Sequence, residues 1–329
     1  MRPMTSADTD RNEFLRDAQR HRNELIAHCY GMVGSVHEAE DIVQETFLRA
    51  WRGWESFEGR SSVRTWLYRI ATNLCLTAQT HNQRRFLPSG LRAAEAAPAG
   101  PFVAGPPGVR WVEPFPNGLR ESGDDDPAEI FAARSDLRLA LVASLQHLPP
   151  RQRAVFILRE VLAYSAVEVA AILEMSVPAV KGALQRARGK LDEVALRPDV
   201  LVEPTSPEAR AILDRYIEAF EKADIAALTG LLRDDTTLES VPMSTWLSGK
   251  QLCIEHLKKW VLTEPGHFRM YPTIANGQPA AVAYHRDRLD DGFTAFGVVV
   301  LSVDGHQVTG ITTFLDPGLV ELFGFAEHP

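Results

Sequence analysis

Apolar positions recur at helical spacing in two consecutive runs near the start of the chain. In the first they fall at Ala39, Ile42, Val43, Phe47, Ala50 and Trp51, with Thr46 among them, and in the second at Val63, Trp66, Leu67, Ile70, Ala71 and Leu74. Steps of i, i+3, i+4 and i+7 place each set on one stripe, so the pattern predicts a pair of amphipathic helices. The first helix sets Asp41, Gln44, Glu45 and Arg52 opposite its stripe, with Leu48 beside them. The second presents Arg64, Tyr68 and Thr72 in one row and Arg69 and Asn73 in the next. A helix over about 10–31 precedes the pair, with Phe14, Leu25, Ile26 and Tyr30 to pack on it.

The helical period returns after Phe131. Leu137, Leu141, Leu145 and Leu148 form a stripe that Pro149-Pro150 ends, and RQRAVFILREVL continues the pattern. Ser165 with Glu168 has capping-box form, and Ser176 is an N-cap for a last helix with Val177, Val180, Leu184, Ala187 and Leu191 inward. Lys181, Gln185 and Arg188 share its outer face, with Arg186 and Lys190 alongside. Two helices about a tight turn, the second basic and amide-bearing, fit a helix-turn-helix.

After two further helices, near 209–221 and 226–232, the period changes from 3.6 to 2. Residues 236–241 alternate as a strand, 251–262 read as a helix, and runs at 268–274, 280–286, 293–302 and 307–315 read as strands of an antiparallel sheet. Helices followed by a curved sheet give an α+β cone. The fold class is therefore multidomain: two all-α units, then α+β.

Composition separates these units. Residues 81–130 carry eight prolines and six glycines, which predicts a flexible tether with little apolar surface to bury, although Trp111, Phe115 and Leu119 do not suit an inert linker. The formal charge of the 329-residue chain is −8, yet the acid is concentrated after Thr205, while Phe131 to Leu191 is net basic. From Gly59 to Ala94 there is no Asp or Glu, and Arg60, Arg64, Arg69, Arg84, Arg85 and Arg92 are all present. An acidic helix followed by a basic, aromatic one points to one face for protein and one for nucleic acid; composition alone leaves a solvated helix pair equally open. Cys29, Cys75 and Cys253 lack metal or disulfide spacing and read as buried reduced thiols of a cytoplasmic protein. No apolar run approaches ~18 residues, so no membrane partner is expected.

DIVQETFLRAW followed by FEGRSSVRTWLYRIATN resembles region 2 of the extracytoplasmic-function sigma factors of bacterial RNA polymerase. LPPRQRAVFILREVLAYSAVEVAAILEMSVPAVKGALQRARGKL resembles their region 4. The resemblance implies region 2 over 10–80, a linker over 81–130 and region 4 over 131–197. It places Asp41, Gln44, Glu45 and Leu48 on the clamp helices of the largest polymerase subunit, and region 4 on the flap of the second-largest. Phe57, Arg60, Ser61 and Ser62 would form a loop that captures an extruded base of the −10 promoter element. Arg64, Tyr68, Arg69 and Asn73 would hold the melted strand. Ser176, Lys181, Gln185, Arg186 and Arg188 would read the −35 element, where Gln and Arg pair with base edges. Gly182-Ala183 departs from the family, so no promoter sequence carries over. The alternative reading is a helix-turn-helix regulator that binds duplex DNA without polymerase.

SGKQLCIEHLKKWVL and ITTFLDPGLVELFGF resemble parts of SnoaL-like (ketosteroid-isomerase-like) domains, which implies a regulatory cone over 205–329. Trp246, His267, His285 and Asp316, with His256 and Tyr271, are candidates to line its pocket. No spacing identifies a catalytic base and partner, so a ligand-sensing pocket or a packing surface is expected rather than an enzyme. No cofactor, metal or catalytic residue is assigned, and any small ligand in this domain is unidentified.

Overall fold

A computed structural model describes residues 18–57, 59, 61–81, 84–95, 100–117, 138–193 and 206–329. The chain divides into two compact units, one of residues 1–85 with 120–196 and one of residues 86–119 with 197–329.

In the helical unit α1 (Arg22–Val33), α2 (Val36–Gly53) and α3 (Val63–His81) come from the first half. From the second come α4 (Leu139–Leu145), α5 (Pro150–Phe156, continued by a wider turn to Val161), α6 (Ala166–Leu173) and α7 (Val177–Glu193). The capping signals act as expected. Ser35 Oγ accepts the Glu38 N–H at 3.3 Å, and Ser165 and Glu168 exchange both capping-box bonds at 3.2 and 2.7 Å. Between α1 and α2 the turn uses Gly34 in the left-handed region at φ 73°, its N–H donating to Tyr30 O at 2.7 Å. A Cβ there would also stand 3.3 Å from the Arg85 and Gln146 side chains.

The two halves pack as one body, which the separate domains of the sequence reading did not anticipate. Arg153 links them at Met32. It is 5% exposed, and its guanidinium donates to Met32 O, to Gln146 Oε1 at 2.7 Å, to Gln146 O at 3.1 Å and to Leu148 O at 3.2 Å. Burial beside Arg84 pulls its pKa down to about 10. Gln79 Nε2 adds a bond to the same Met32 carbonyl at 2.9 Å.

The second unit contains α8 (Pro207–Glu221), α9 (Ile225–Leu231), β1 (Leu232–Val241), β2 (Trp246–Ser248), α10 (Lys250–His256, continued by a wider turn to Val261), β3 (Phe268–Ala275), β4 (Gln278–His285), β5 (Thr294–Asp304), β6 (Gln307–Phe314) and α11 (Gly318–Leu322). One six-stranded sheet runs β2-β1-β6-β5-β4-β3. The sheet is mixed rather than antiparallel, because β1 pairs with β6 in parallel. Helix α10 and four strands lie between these two in sequence, which leaves length for a crossover that a hairpin could not provide. The β3–β4 hairpin turns on Asn276-Gly277, both with positive φ, the two-residue turn that matches strand twist. The core packs α8, α9 and α10 on the sheet through Leu213, Tyr216, Leu228, Leu257, Val299 and Ile311.

The tether expectation is corrected for part of 81–130. Its described residues from Phe86 to Asn117 form a strap on the second unit. Ser89 N–H donates to Glu239 Oε2 at 3.1 Å and Glu95 N–H to Trp246 O at 3.0 Å. Gly105 N–H donates to Pro242 O at 2.9 Å, and Phe115 and Asn276 exchange two bonds of 2.8 Å each. Val112, Pro114, Phe115 and Pro116 are buried. Proline and glycine here rigidify an extended path whose backbone groups bond to the sheet edges, so composition misread the segment. Leu119 lies outside the described residues.

Candidate nucleic-acid interface and C-terminal cavity

Helix α2 buries Val36, Ala39, Val43, Thr46 and Ala50. That places Asp41 and Gln44 in solvent, Glu45 partly so, and Leu48 at 50% exposure. Glu45 is held by Arg49 Nε at 2.7 Å.

The loop before α3 is built on an aromatic stack. Phe57, Trp54 and Trp66 form a triangle of rings, Phe57 at centroid distances of 5.5 Å from Trp54 and 4.7 Å from Trp66 and the two indoles 6.4 Å apart. Trp66 is the core residue the pattern expected. Ser61 and Ser62 are exposed, with Ser62 Oγ accepting the Thr65 N–H at 3.1 Å. Arg60 lies outside the described residues. On α3, Arg69 and Asn73 are exposed.

Arg64 and Tyr68 correct the expectation of a free strand-binding row. Tyr68 is fully buried, its OH 3.5 Å from Glu24 O. Arg64 forms a bidentate pair with Glu24, Nε at 3.0 Å from both carboxylate oxygens and Nη2 at 2.7 Å from Oε2. The guanidinium also stands 4.8 Å over the Tyr164 ring and 5.3 Å over Tyr68. Helix α3 is buried on two sides, against α1 and α2 on one and against α5 and α6 on the other, so its apolar stripe is wider than one amphipathic face. Burial would raise the Glu24 carboxyl, but bonds from His21 and Arg64 outweigh it and hold the pKa below the usual carboxylate range. Nearby, His28 is enclosed and donates to or accepts from Thr72 Oγ1 at 2.9 Å; burial pulls its pKa down to about 3, so the ring is neutral. Glu24, His28 and Arg153 were missed from sequence, since nothing in the local pattern marks a charged residue of α1 or α5 as buried.

The helix-turn-helix is formed by α6 and α7. Glu174 takes the left-handed conformation at φ 52° to end α6, and Ser176 Oγ accepts the Ala179 N–H at 3.3 Å to start α7. Val180, Ala183, Ala187 and Leu191 are buried. Ser176, Lys181, Gln185, Arg186 and Arg188 are all exposed, so the sequence-expected reading face exists as a surface. Arg188 is held by Glu160 at 2.8 Å. Ala183 is small because it is buried, whereas a Cβ on Gly182 would meet only the flexible Arg186 end at 3.4 Å.

In the second unit a cavity of about 250 Å³ lies between α8, α10 and the sheet. Of the pocket residues expected from sequence, Trp246, His267, His285, Asp316 and Tyr271 do not line it. Trp246 sits on edge strand β2 and donates from Nε1 to Arg92 O at 2.8 Å, under the strap. His267 Nδ1 bonds Arg286 O at 2.8 Å, and His285, the cross-strand partner of Phe268, packs against that ring at 4.8 Å with the planes inclined by 51°. Asp316 is exposed and its Oδ1 accepts the Gly318 N–H at 2.9 Å, starting α11. Tyr271 packs on Tyr284 and Phe325. His256 does line the cavity, with Tyr216, Ser240 and Thr313 as the other polar groups. None of its described lining residues is a carboxylate.

The Sigma-70 region 2 family matches residues 18–85 and Sigma-70, region 4 matches 138–191. ECF RNA polymerase sigma factor SigG of Mycobacterium tuberculosis is 44% identical over 325 residues, covering 98% of this chain and 86% of the relative. ECF RNA polymerase sigma factor SigW of Bacillus subtilis is 31% identical over 182 residues, 55% of this chain and 88% of its own. The crystal structure of the Mycobacterium tuberculosis ECF sigma factor SigJ, at 21% identity, shares the fold over 95% of this chain and 99% of its own, with a TM-score of 0.63. Among the described residues no helix is long and apolar enough to cross a membrane. With both sigma regions matched and a SnoaL-like α+β unit following them, the chain belongs to the extracytoplasmic-function (ECF) sigma factors, the sigma-70 family proteins that direct RNA polymerase to promoters for transcription initiation.

Proposed function

We propose that this sigma factor divides its work among three surfaces and is modulated by its own C-terminal domain. Asp41, Gln44, Glu45 and Leu48 dock on the clamp helices of the largest polymerase subunit, and the region 4 helices meet the flap of the second-largest. Phe57, Arg60, Ser61 and Ser62 take an extruded −10 base, while Arg69 and Asn73 hold the strand. Arg64 and Tyr68 join them only after the region 2 and region 4 halves part. Ser176, Lys181, Gln185, Arg186 and Arg188 enter the major groove at the −35 element. Region 2 spans 10–80, region 4 spans 131–197 and the modulating domain 205–329. The protein works in the cytoplasm without turning over a substrate, and the C-terminal cavity accepts a small ligand.

The observation that supports this most is the exposure of two outward faces backed by buried stripes. One carries Leu48 on α2 and the other Lys181 and Gln185 on α7. The test is promoter-dependent transcription with core polymerase. Leu48→Asp should abolish binding to core polymerase, and Lys181→Ala with Gln185→Ala should spare that binding and lose transcription. Core polymerase left unbound by the wild-type chain and by a chain lacking 205–329 would sink the proposal. Unchanged transcription on removal of 205–329 would reject the modulating role.

A further inference from the structure

The cavity of the C-terminal unit is closed at its rim by the strap. Phe102 stacks on the imidazole of His256 with ring centroids 4.0 Å apart and planes inclined by 23°. His256 is 5% exposed, and its buried Nδ1 has no hydrogen-bond partner among the described residues. Burial pulls its pKa down, so the ring is neutral at physiological pH. An unmet nitrogen of this kind costs roughly 1–3 kcal/mol, and a ligand hydroxyl or carbonyl is what would satisfy it. Apart from Tyr216, Ser240 and Thr313 the rest of the wall is hydrocarbon and aromatic, including Phe220, Met243, Leu257, Phe268, Phe296 and Val299, with no charged group among the described lining residues. A charged ligand would lose its hydration with nothing in exchange. The volume, about 250 Å³, exceeds the ~150 Å³ apolar cavity that takes up benzene, so it suits more than one ring.

Phe102 is built to leave. Its neighbours Pro101, Val103 and Ala104 are exposed, Val103 at 60%. The strap is fixed beside it by bonds to the buried Ser244 and Thr245, Ser244 N–H to Val103 O at 2.8 Å and Val103 N–H to Thr245 Oγ1 at 3.3 Å, which leaves the Phe102 side chain as the part that can move. Another aromatic ring can take over the stack on His256.

We propose that this cavity binds a neutral, mostly hydrocarbon molecule of bicyclic size with one hydroxyl or carbonyl group, and that Phe102 is a detachable stopper displaced when the ligand stacks on His256. The ligand's polar group then bonds His256 Nδ1, and the released strap segment carries the signal out of the cavity. This rests on the reading of the C-terminal unit as a ligand-carrying module. Its test needs neither polymerase nor DNA, so its failure leaves the promoter-directing reading intact.

The experiment titrates the full-length chain with 2-naphthol, following quenching of Trp260, which lines the cavity at 41% exposure, and repeats it by calorimetry. Wild type should bind saturably. Phe102→Ala should bind roughly tenfold tighter because no stopper competes. His256→Leu should bind roughly 3–10-fold more weakly, the loss of one hydrogen bond. The anion 2-naphthoate should not bind, and Met243→Trp, which fills the cavity, should abolish binding of 2-naphthol. Absence of saturable binding to both wild type and Phe102→Ala overturns the proposal. So does equal or weaker binding by Phe102→Ala, which would make Phe102 a wall of the site, and so does 2-naphthoate binding as tightly as 2-naphthol.

Discussion

Helices α3 and α7 are the two that the sigma reading aims at DNA, and the helical unit treats them in opposite ways. Both carry a basic face behind an apolar stripe. On α7 that face is open from Ser176 to Arg188. On α3 it is split: Arg69 and Asn73 are exposed, while Tyr68 is fully buried and Arg64 is committed to Glu24 and Tyr164. Tyr164 comes from the second half of the unit. The half that carries the free reading face therefore covers part of the other one. What distinguishes the helices is the number of sides on which each is packed, and that is a tertiary property. Parting the halves takes Tyr164 away from Arg64 and opens that side to solvent or a DNA phosphate. The cost is set by the Arg153 bond to Met32 and the packing of α3 on α5 and α6, while the Glu24 pair lies within the first half and stays.

The largest effect should come from Arg153, which has no counterpart near α7's open face. Arg153→Met keeps the stem volume and removes four hydrogen bonds, leaving the Met32, Gln146 and Leu148 carbonyls with fewer donors. Uncompensated burial of such groups costs ~1–3 kcal/mol each when fully unsatisfied, so a total loss of about 3 kcal/mol is expected from urea unfolding of the helical unit. A stability within ~0.5 kcal/mol of wild type would show that the halves are held by apolar contact alone.

Next is Glu24→Gln. Truncating one partner of a buried pair costs ~3–5 kcal/mol, but Arg64 is one-third exposed, and solvent reduces the figure to about 2 kcal/mol. The same substitution frees Arg64, so affinity for a single-stranded −10 oligonucleotide should rise as stability falls. If both fall together, Arg64 does not serve the strand.

Acid provides a third way to open the covered side without mutation. The folded His28 pKa is depressed to about 3, so below the unfolded value of ~6.5 the unfolded chain takes up a proton that the folded one refuses. Stability from this group is complete above pH ~6.5 and falls by up to about 1.4 kcal/mol per pH unit below it. Glu24 is depressed as well; its contribution is present above the unfolded carboxylate pKa and is lost as pH falls through the folded one, so the two losses occur in sequence. His28→Gln should flatten the slope of the urea midpoint between pH 6.5 and 5. An unaltered slope would place the acid sensitivity elsewhere.

These differences mark the limit of what the sequence discloses. The stripe Val63, Trp66, Leu67, Ile70, Ala71 and Leu74 locates α3 and its first packing side, because that side meets sequence-adjacent α2. Tyr68 belongs to a second side, met by Tyr164 almost a hundred residues later, and no local period records such a partner. Ser165, Glu168 and Ser176 were legible as caps because capping acts within three residues. The strap shows the converse failure. Proline and glycine read as disorder there, yet its backbone donors are met by Glu239, Pro242 and Asn276, which lie far along the chain. The same holds for the cavity: His256 lines it and His267, His285 and Asp316 do not, because the lining is set by how α10 packs on the sheet, which no local period records.

The smallest effect on folding is expected on α7, and there the comparison is sharpest. Lys181 and Gln185 are exposed and stand over a stripe that is complete without them, so Lys181→Ala and Gln185→Ala should each change stability by less than ~0.5 kcal/mol. Their effects on duplex −35 DNA should differ in kind. Loss of a lysine on phosphate weakens all sequences alike and lowers the slope of log affinity against log salt by about 1, whereas loss of a bidentate glutamine costs ~1–3 kcal/mol and relaxes preference at one base pair. Binding of a −35 duplex to the isolated chain, measured across a salt series for both variants, separates the two roles. If α7 is open in the closed unit, these differences will appear without polymerase, while Arg69→Ala on α3 will show its defect only in the presence of core polymerase and a melted promoter. A defect of Arg69→Ala on closed duplex of the same size would mean that the two helices read DNA in the same state, and the asymmetry between them would carry no function.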